Sequence, residues 1–281
     1  MNTIANQDQR ALWNGPAGQN WVAQQSVLDT MFAPFEALLA DAAEQTQSLD
    51  ILDIGCGAGA TTLAIARRLG PACRAVGADI SAPLIEHART RATQQGSAAT
   101  FVLADAQTHD FGAQRFDLVV SRFGVMFFDD PAAAFTNLRR ATQDHGAMRC
   151  IVFRSPAENP FMTTAERAAA SSLPALPPRR PDAPGQFAFA DAARVTRILQ
   201  TAGWHEVTLK QLDVTCTFPS ADLERYFTNL GPVSLALREA DTQTRRNVIE
   251  AVRVAFGPFI EGAQVRFVAA CWMIGAAAAR E

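Results

Sequence analysis

Asp53, Asp79 and Asp105 stand at intervals of 26 residues, and each closes or nearly closes a short apolar run. Carboxylates placed this way suit hydrogen-bond donors and positive charge. Between the first two lies Gly55-Cys56-Gly57-Ala58-Gly59. Glycines at such spacing let the backbone turn tightly and approach a ligand closely. A helix that starts just after them, near Ala60, points its free N–H groups and its positive end at the same place. The loop therefore suits an anionic or strongly polar small molecule. Asp79 ends the next apolar run, Ala75–Asp79, where an acid can take ribose hydroxyls. Asp53 sits inside its own run, two residues before the first glycine. A carboxylate there is costly to bury unless it is used, and it is well placed for a cationic ligand group. Asp105 ends the run Thr100–Asp105 and can accept from an exocyclic amine.

The elements that must position these residues alternate. Strands are expected at 49–54, 75–79, 100–105, 116–121 and 147–154, with helices at 61–69, 82–95 and 131–141 between them. Strands alternating with helices imply a doubly wound, mostly parallel sheet covered on both faces. Sixth and seventh strands are expected at 204–218 and 265–274, separated by helix, a pattern compatible with an antiparallel pair at one sheet edge. The expected class is therefore α/β, with a seven-stranded, Rossmann-like sheet and helical lid insertions.

One domain over 1–281 is expected, divided by function. Residues 1–48 form an N-terminal cap with a breaker at Asn14-Gly15-Pro16, and 49–154 form the cofactor-binding core. Residues 155–190, rich in proline from Pro174 to Pro184, and the helical stretch 220–257 read as acceptor-side insertions. Long irregular segments inside a compact domain usually serve function, often as lids. Phe187, Phe189, Phe218, Phe227 and Phe259 could line an apolar pocket under such a lid.

The glycine loop alone leaves two enzyme classes open, since Gly55-x-Gly57-x-x-Ala60 also satisfies a dinucleotide-binding pattern. A nicotinamide oxidoreductase of the Tyr-x-x-x-Lys type is excluded, because Tyr226 and Lys210 are the only Tyr and Lys and stand in the wrong order. A non-catalytic cofactor-binding protein on the same fold is the other alternative. Taken together, residues 49–154 resemble the class I S-adenosylmethionine-dependent methyltransferases, whose glycine motif reads Asp-x-Gly-x-Gly-x-Gly. Trp13–Gly18, Phe116–Gly124 and Glu158-Asn159-Pro160 resemble the ubiquinone/menaquinone-biosynthesis-like branch, whose members act on small molecules.

The resemblance implies S-adenosylmethionine as cofactor. Its methionine end would lie against Asp53, Gly55, Cys56, Gly57 and Gly59. The ribose would bind Asp79, with Ile80 beside it, and the adenine Asp105 and the backbone of Ala106. Ser121 and Trp21 complete the expected cofactor set, Trp21 through attraction between its ring and a sulfonium. Arg122 ends the fourth strand and, with Phe123, is expected on the substrate side. It would pair an acceptor anion or the cofactor carboxylate, or else a neighbouring acid such as Asp129. Ser121-Arg122-Phe123-Gly124 occupies the place where enzymes that methylate adenine N6 or glutamine amides carry Asn/Asp-Pro-Pro-Tyr/Phe, which disfavours both targets.

Methyl transfer from a sulfonium needs alignment and a dry site more than it needs a base. No catalytic residue is assigned. His87 reads as part of a solvated helix face, His145 as a turn residue, His109 as a loop residue and His205 as a strand start away from the cofactor. The expected partner is a small-molecule acceptor. A net charge of −3 with scattered arginines disfavours nucleic acid. Five dispersed cysteines without a Cys-x-x-Cys disfavour disulfides and metal. The polar start Met1–Arg10 and the absence of an apolar run of membrane length point to the cytoplasm, with no membrane partner. The oligomeric state is not legible.

Overall fold

The computed structural model describes residues 6–279 apart from 174, 175, 177, 178, 181 and 182. Pro174, Pro177, Pro178 and Pro181 of the proline-rich run thus lie outside the described residues. Three helices come first: α1 (Gln7–Asn14), α2 (Pro16–Ala23) and α3 (Gln25–Gln45). The alternating core follows with β1 (Asp50–Ile54), α4 (Ala60–Leu69), β2 (Arg74–Asp79), α5 (Ala82–Gln95), β3 (Thr100–Leu103), β4 (Phe116–Arg122), α6 (Pro131–Ala141) and β5 (Thr142–Phe153). The chain continues through α7 (Pro160–Ala169), α8 (Ala192–Thr201), β6 (His205–Pro219), α9 (Leu223–Asn229), α10 (Gly231–Glu239), α11 (Thr242–Ala255), β7 (Ile260–Glu261) and β8 (Gln264–Ala277).

The sheet runs β3-β2-β1-β4-β5-β8-β6. The first five strands pair in parallel, and β8 pairs antiparallel with both β5 and β6. The fold is the expected doubly wound α/β sheet. Its eighth strand, β7, is a two-residue partner of β8 across Gly262, too short to leave a periodic signature. β5 also begins five residues earlier than its apolar run, because Thr142 already pairs with Phe116 before a register shift.

Near-continuous apolar strands are what a sheet covered on both faces demands. Leu52, Leu118, Val119, Val120, Ile151 and Val152 are all fully buried. Each such side chain is worth roughly 1.5–3 kcal/mol against exposure. Helix caps fit the pattern: Asp130 and Asp191 accept backbone N–H bonds at the starts of α6 and α8. Gly203, at φ +84°, then turns the chain out of α8 into β6.

The insertion helices pack on the far part of the sheet and on one another, α7 against α10 and α11. Phe187, Phe189, Phe218 and Phe227 are core residues there, and Phe161 stacks on Phe267 at 3.8 Å. The expectation that the first four, with Phe259, line an acceptor pocket is corrected: they pack in or against the core, and none lines the cavity at the strand ends. No helix among the described residues is long and apolar enough to cross a membrane.

Candidate active site at the strand ends

Because β1 sends its chain to β2 on one side and lies beside β4 on the other, a crevice opens at the carboxyl ends of these strands. A cavity of about 990 Å³, open mouth included, fills it. Its floor is the glycine loop. Gly55 and Cys56 donate their N–H groups to Ala78 O at 2.8 and 3.1 Å, which ties the loop over the end of β2. Gly55 also touches Gly124: a Cβ on Gly55 would come within 2.5 Å of the Gly124 Cα, so neither position tolerates a side chain. Gly57 (φ +55°) faces the cavity, where its nearest neighbour is the Trp21 indole. Cys56 lines the wall, but burial holds its thiol well above the ordinary range, so it serves as a small apolar group.

Asp79 fixes this loop. One carboxyl oxygen accepts the Gly57 N–H at 2.8 Å and the other the Ser81 N–H at 2.9 Å. Burial raises its pKa, opposed by these two bonds. Asp105 lies just beyond the end of β3 rather than within it, and Ala104 N bonds Asp79 O at 2.9 Å, bringing the two acids together on one edge. Asp105 Oδ1 accepts from Gln107 N at 3.0 Å and from the Asn6 amide at 3.2 Å, while Oδ2 is buried without a hydrogen bond. Ile80 and Ala106 line the same wall.

Asp53 and Ser121 stand behind this wall. Asp53 is 1% exposed and does not line the cavity. The Thr62 hydroxyl of α4 donates to its Oδ2 at 2.7 Å, its Oδ1 has no hydrogen-bond partner, and burial pushes its pKa up to about 7. The expectation of direct ligand contact is corrected to support from beneath, because the Gly55 turn lies between this carboxylate and the cavity. Ser121 is likewise a fastener. Its hydroxyl donates to Ile54 O at 2.7 Å and accepts from Gly124 N at 3.2 Å, locking β1 to the end of β4.

At the β4 end, Arg122 does line the cavity, with a side chain only 13% exposed. Its acid partner is Glu36 of α3 at 3.2 Å, not Asp129, and its guanidinium lies over Phe32 at 5.6 Å. Burial raises the Glu36 pKa against the opposing pull of Arg122. Phe123 adopts φ +66°, a strained conformation for a bulky residue. Packing holds it there: its ring stacks on Phe153 at 4.3 Å and meets Phe32 and Phe35 edge-on.

The remaining wall comes from the N-terminal helices. Trp13 and Trp21 meet edge to face at 5.7 Å, and Trp13 meets Phe127 at 5.2 Å. Asn6, Gln9, Gln25, Leu28, Asp29 and Phe32 face the cavity as well. None of these six stood out in the sequence. The available signal was helical spacing, since 25, 28, 29 and 32, with Glu36 one turn on, share one face of α3. Asp29 is committed to Arg91 at 2.6 Å and to the Gln25 amide. Neither 155–190 nor 220–257 contributes a described residue to the wall, so the acceptor-side placement of these insertions has no direct contact behind it. No histidine lines it either. His87 is half-buried beside Gln25 at 3.5 Å rather than on a solvated face, and burial lowers its pKa. Among the described residues no cluster of His, Cys, Asp and Glu could hold a metal.

Residues 51–146 match the family described as methyltransferase domain. They form a methyltransferase domain. The match makes S-adenosylmethionine the group to test against this site. The residues present fit that group: buried acceptors without donors stand at the β3 end, acids lie along the β2 and β3 ends, and a glycine turn leaves room for close approach. Aklanonic acid methyltransferase of Streptomyces sp. (strain C5) is 36% identical over 126 residues, 44% of this chain and 56% of that protein. The matched part thus spans little more than half of that relative. Nocamycin O-methyltransferase of Saccharothrix syringae is 28% identical over 200 residues, 68% of this chain and 71% of that protein. The crystal structure of the YcgJ protein from Bacillus subtilis superposes with a TM-score of 0.57 at 16% identity, covering 88% of this chain and 98% of that one, which shows the shared fold. None of these matches supports the nicotinamide alternative.

Proposed function

We propose that this protein transfers the methyl group of S-adenosylmethionine to a small, partly apolar acceptor by in-line displacement. The observation that carries this reading is the series Gly57, Asp79, Asp105 along one sheet edge, inside a single cavity that extends past the loop to Arg122 and Phe123. When bound, the cofactor supplies a methyl group already activated by the positive sulfur. The chain's residues align and enclose. Asp79 takes the ribose hydroxyls, Asp105 with the Ala106 N–H takes the adenine, and the turn Gly55–Gly59 with Trp21 receives the methionine end. Asp53, Ser121 and Thr62 keep that turn in place from below.

The acceptor's place is the remaining end of the cavity, between the α3 face and β4. Leu28, Phe32 and Phe123 give it apolar walls, and Arg122 gives it one positive group. No histidine faces it, and Asp29 is already paired, so the residues favour an acceptor that ionises readily by itself, such as an acidic hydroxyl or a carboxylate. The names of the two relatives, an acid methyltransferase and an O-methyltransferase, agree with that chemistry. The five buried, unpaired cysteines fit a reducing compartment, and we place the protein in the cytoplasm. The net charge of −3 supports a small molecule over nucleic acid as partner.

Calorimetry with S-adenosylhomocysteine and NADPH tests the cofactor. Binding of the first and not the second is expected. Incubation with methyl-labelled cofactor and a panel of small apolar carboxylic acids and acidic hydroxyl compounds then tests the acceptor, with label expected on an oxygen. A protein that binds NADPH alone would overturn the reading.

A further inference from the structure

Asn6 and Gln9 lie three residues apart, the first at the start of α1 and the second on it, and both line the cavity. Asn6 precedes the first helical residue, the place where an asparagine ordinarily caps the helix by accepting a backbone N–H. It makes no such bond. Its backbone is instead left-handed, at φ +61°, and its amide reaches 99 residues along the chain to Asp105 Oδ1 at 3.2 Å. Three acceptors in this corner are buried without a donor: Asn6 Oδ1, Gln9 Oε1 and Asp105 Oδ2. The closest cation, Arg10, stands 3.9 Å from Asp105 Oδ2. The Gln9 amide nitrogen has no partner among the described residues either. Unpaired buried polar groups are costly, and three in one corner mark a donor supplied from outside the chain.

We infer that Gln9 reads the adenine of the cofactor through its amine and N7, and that Asn6 is the positioning residue that turns Asp105 to meet the same base. This rests on the methyl-transfer reading above. Asp105 Oδ2 and the Ala106 N–H serve one edge of the base, the amine and N1. The second amine N–H and N7 remain. A carboxamide satisfies that pair bidentately, with its oxygen accepting from the amine and its nitrogen donating to N7. Among the described residues Gln9 is the one carboxamide in this corner with both ends free, since the Asn6 nitrogen is already spent on Asp105. The adenine site is therefore closed by α1, a helix outside the residues that the glycine motif and its three acids mark out.

The test compares Gln9→Leu with the unaltered protein by calorimetry, using S-adenosylhomocysteine and its 7-deaza analogue, which lacks the N7 acceptor. Gln9 is half-buried and bonded to nothing, so the variant is expected to melt at the unaltered temperature without ligand. The unaltered protein should bind the 7-deaza analogue about tenfold more weakly than S-adenosylhomocysteine, and Gln9→Leu should bind both alike, about tenfold below the unaltered protein's affinity for S-adenosylhomocysteine. Equal penalties for the analogue in both proteins, or affinity of the variant within about twofold of the original, would overturn the role of Gln9 and leave the cofactor reading intact. Failure of the unaltered protein to bind S-adenosylhomocysteine would overturn both.

Discussion

Asp53 carries an electrostatic cost. It is fully buried, one oxygen is unpaired, and its pKa stands near 7 against an ordinary carboxylate value near 4. The native state therefore holds a proton that the unfolded chain has already lost between these values. Stability from this group is fully present below about pH 4 and is lost as pH rises through about 7. Substituting Asp53→Asn removes that titration, so the melting temperature of the variant should gain on the unaltered protein between pH 5 and 8. Other raised acids, such as Glu36 and Asp79, cancel in the difference, and a constant gap across that range would refute the assignment. Asp79 has a different task. It holds Gly57 and Ser81 and faces the ribose site, so Asp79→Ala loses charge-assisted bonds worth roughly 1.5–3 kcal/mol each. The affinity for S-adenosylhomocysteine should fall more than tenfold by calorimetry, with the circular dichroism of the fold retained. An unchanged affinity would move the ribose elsewhere.

At the scale of elements, the parts open to reading from sequence were those whose signal is local. β1, β2 and β4 are short apolar runs, the glycine turn has a spacing of its own, and α6 and α8 carry their caps within a few residues. What escaped reading depends on distant partners. Arg122 found Glu36, 86 residues away, rather than the nearby Asp129. Asp53 and Ser121 have the residue types of ligand contacts, yet the depth of the Gly55 turn puts both behind the wall. The aromatic residues of the insertions look the same whether they line a pocket or fill a core, and here they fill a core. Most telling is the N-terminal cap. α1 and α2 are short and partly polar, with weak patterns of their own. They are held by Asn14, whose amide donates to Ile80 O at 3.0 Å and whose oxygen accepts the Ala82 N–H at 2.8 Å. The Ser81 hydroxyl adds a bond to Trp13 O at 2.6 Å. All three anchors fall on the turn after Asp79, so the cap is pinned to the segment that holds the ribose. A helix pinned there is placed by tertiary contact rather than by propensity.

For the molecule as a whole, the question is how an insertion that touches no cavity residue can bear on the reaction. The 220–257 helices reach the site through α2. Asn20 of α2 donates to Asn229 O at 2.7 Å and accepts from Arg238 at 3.3 Å, and Arg225 donates to Ala23 O. α2 in turn carries Trp21 into the cavity wall beside Gly57. A ligand that orders α1 and α2 should therefore order α9 and α10 as well, because local opening of the insertion must break the same bonds that hold α2. Hydrogen exchange with and without saturating S-adenosylhomocysteine measures this directly. Slower exchange is expected in α1, α2, α9 and α10. The Asn20→Ala variant should keep the protection of α1, whose bonds to Ile80, Ser81 and Ala82 remain, and lose that of α9 and α10. Protection confined to cavity-lining residues would show that the insertion is energetically separate from the cofactor site. Protection of α9 and α10 that survives Asn20→Ala would place the coupling in contacts other than those of Asn20, the Arg225 bond to Ala23 O first among them. The predicted pattern makes the insertion a brace for the cap, so that changes in 220–257 act on the acceptor through the position of Trp21 and not by direct touch.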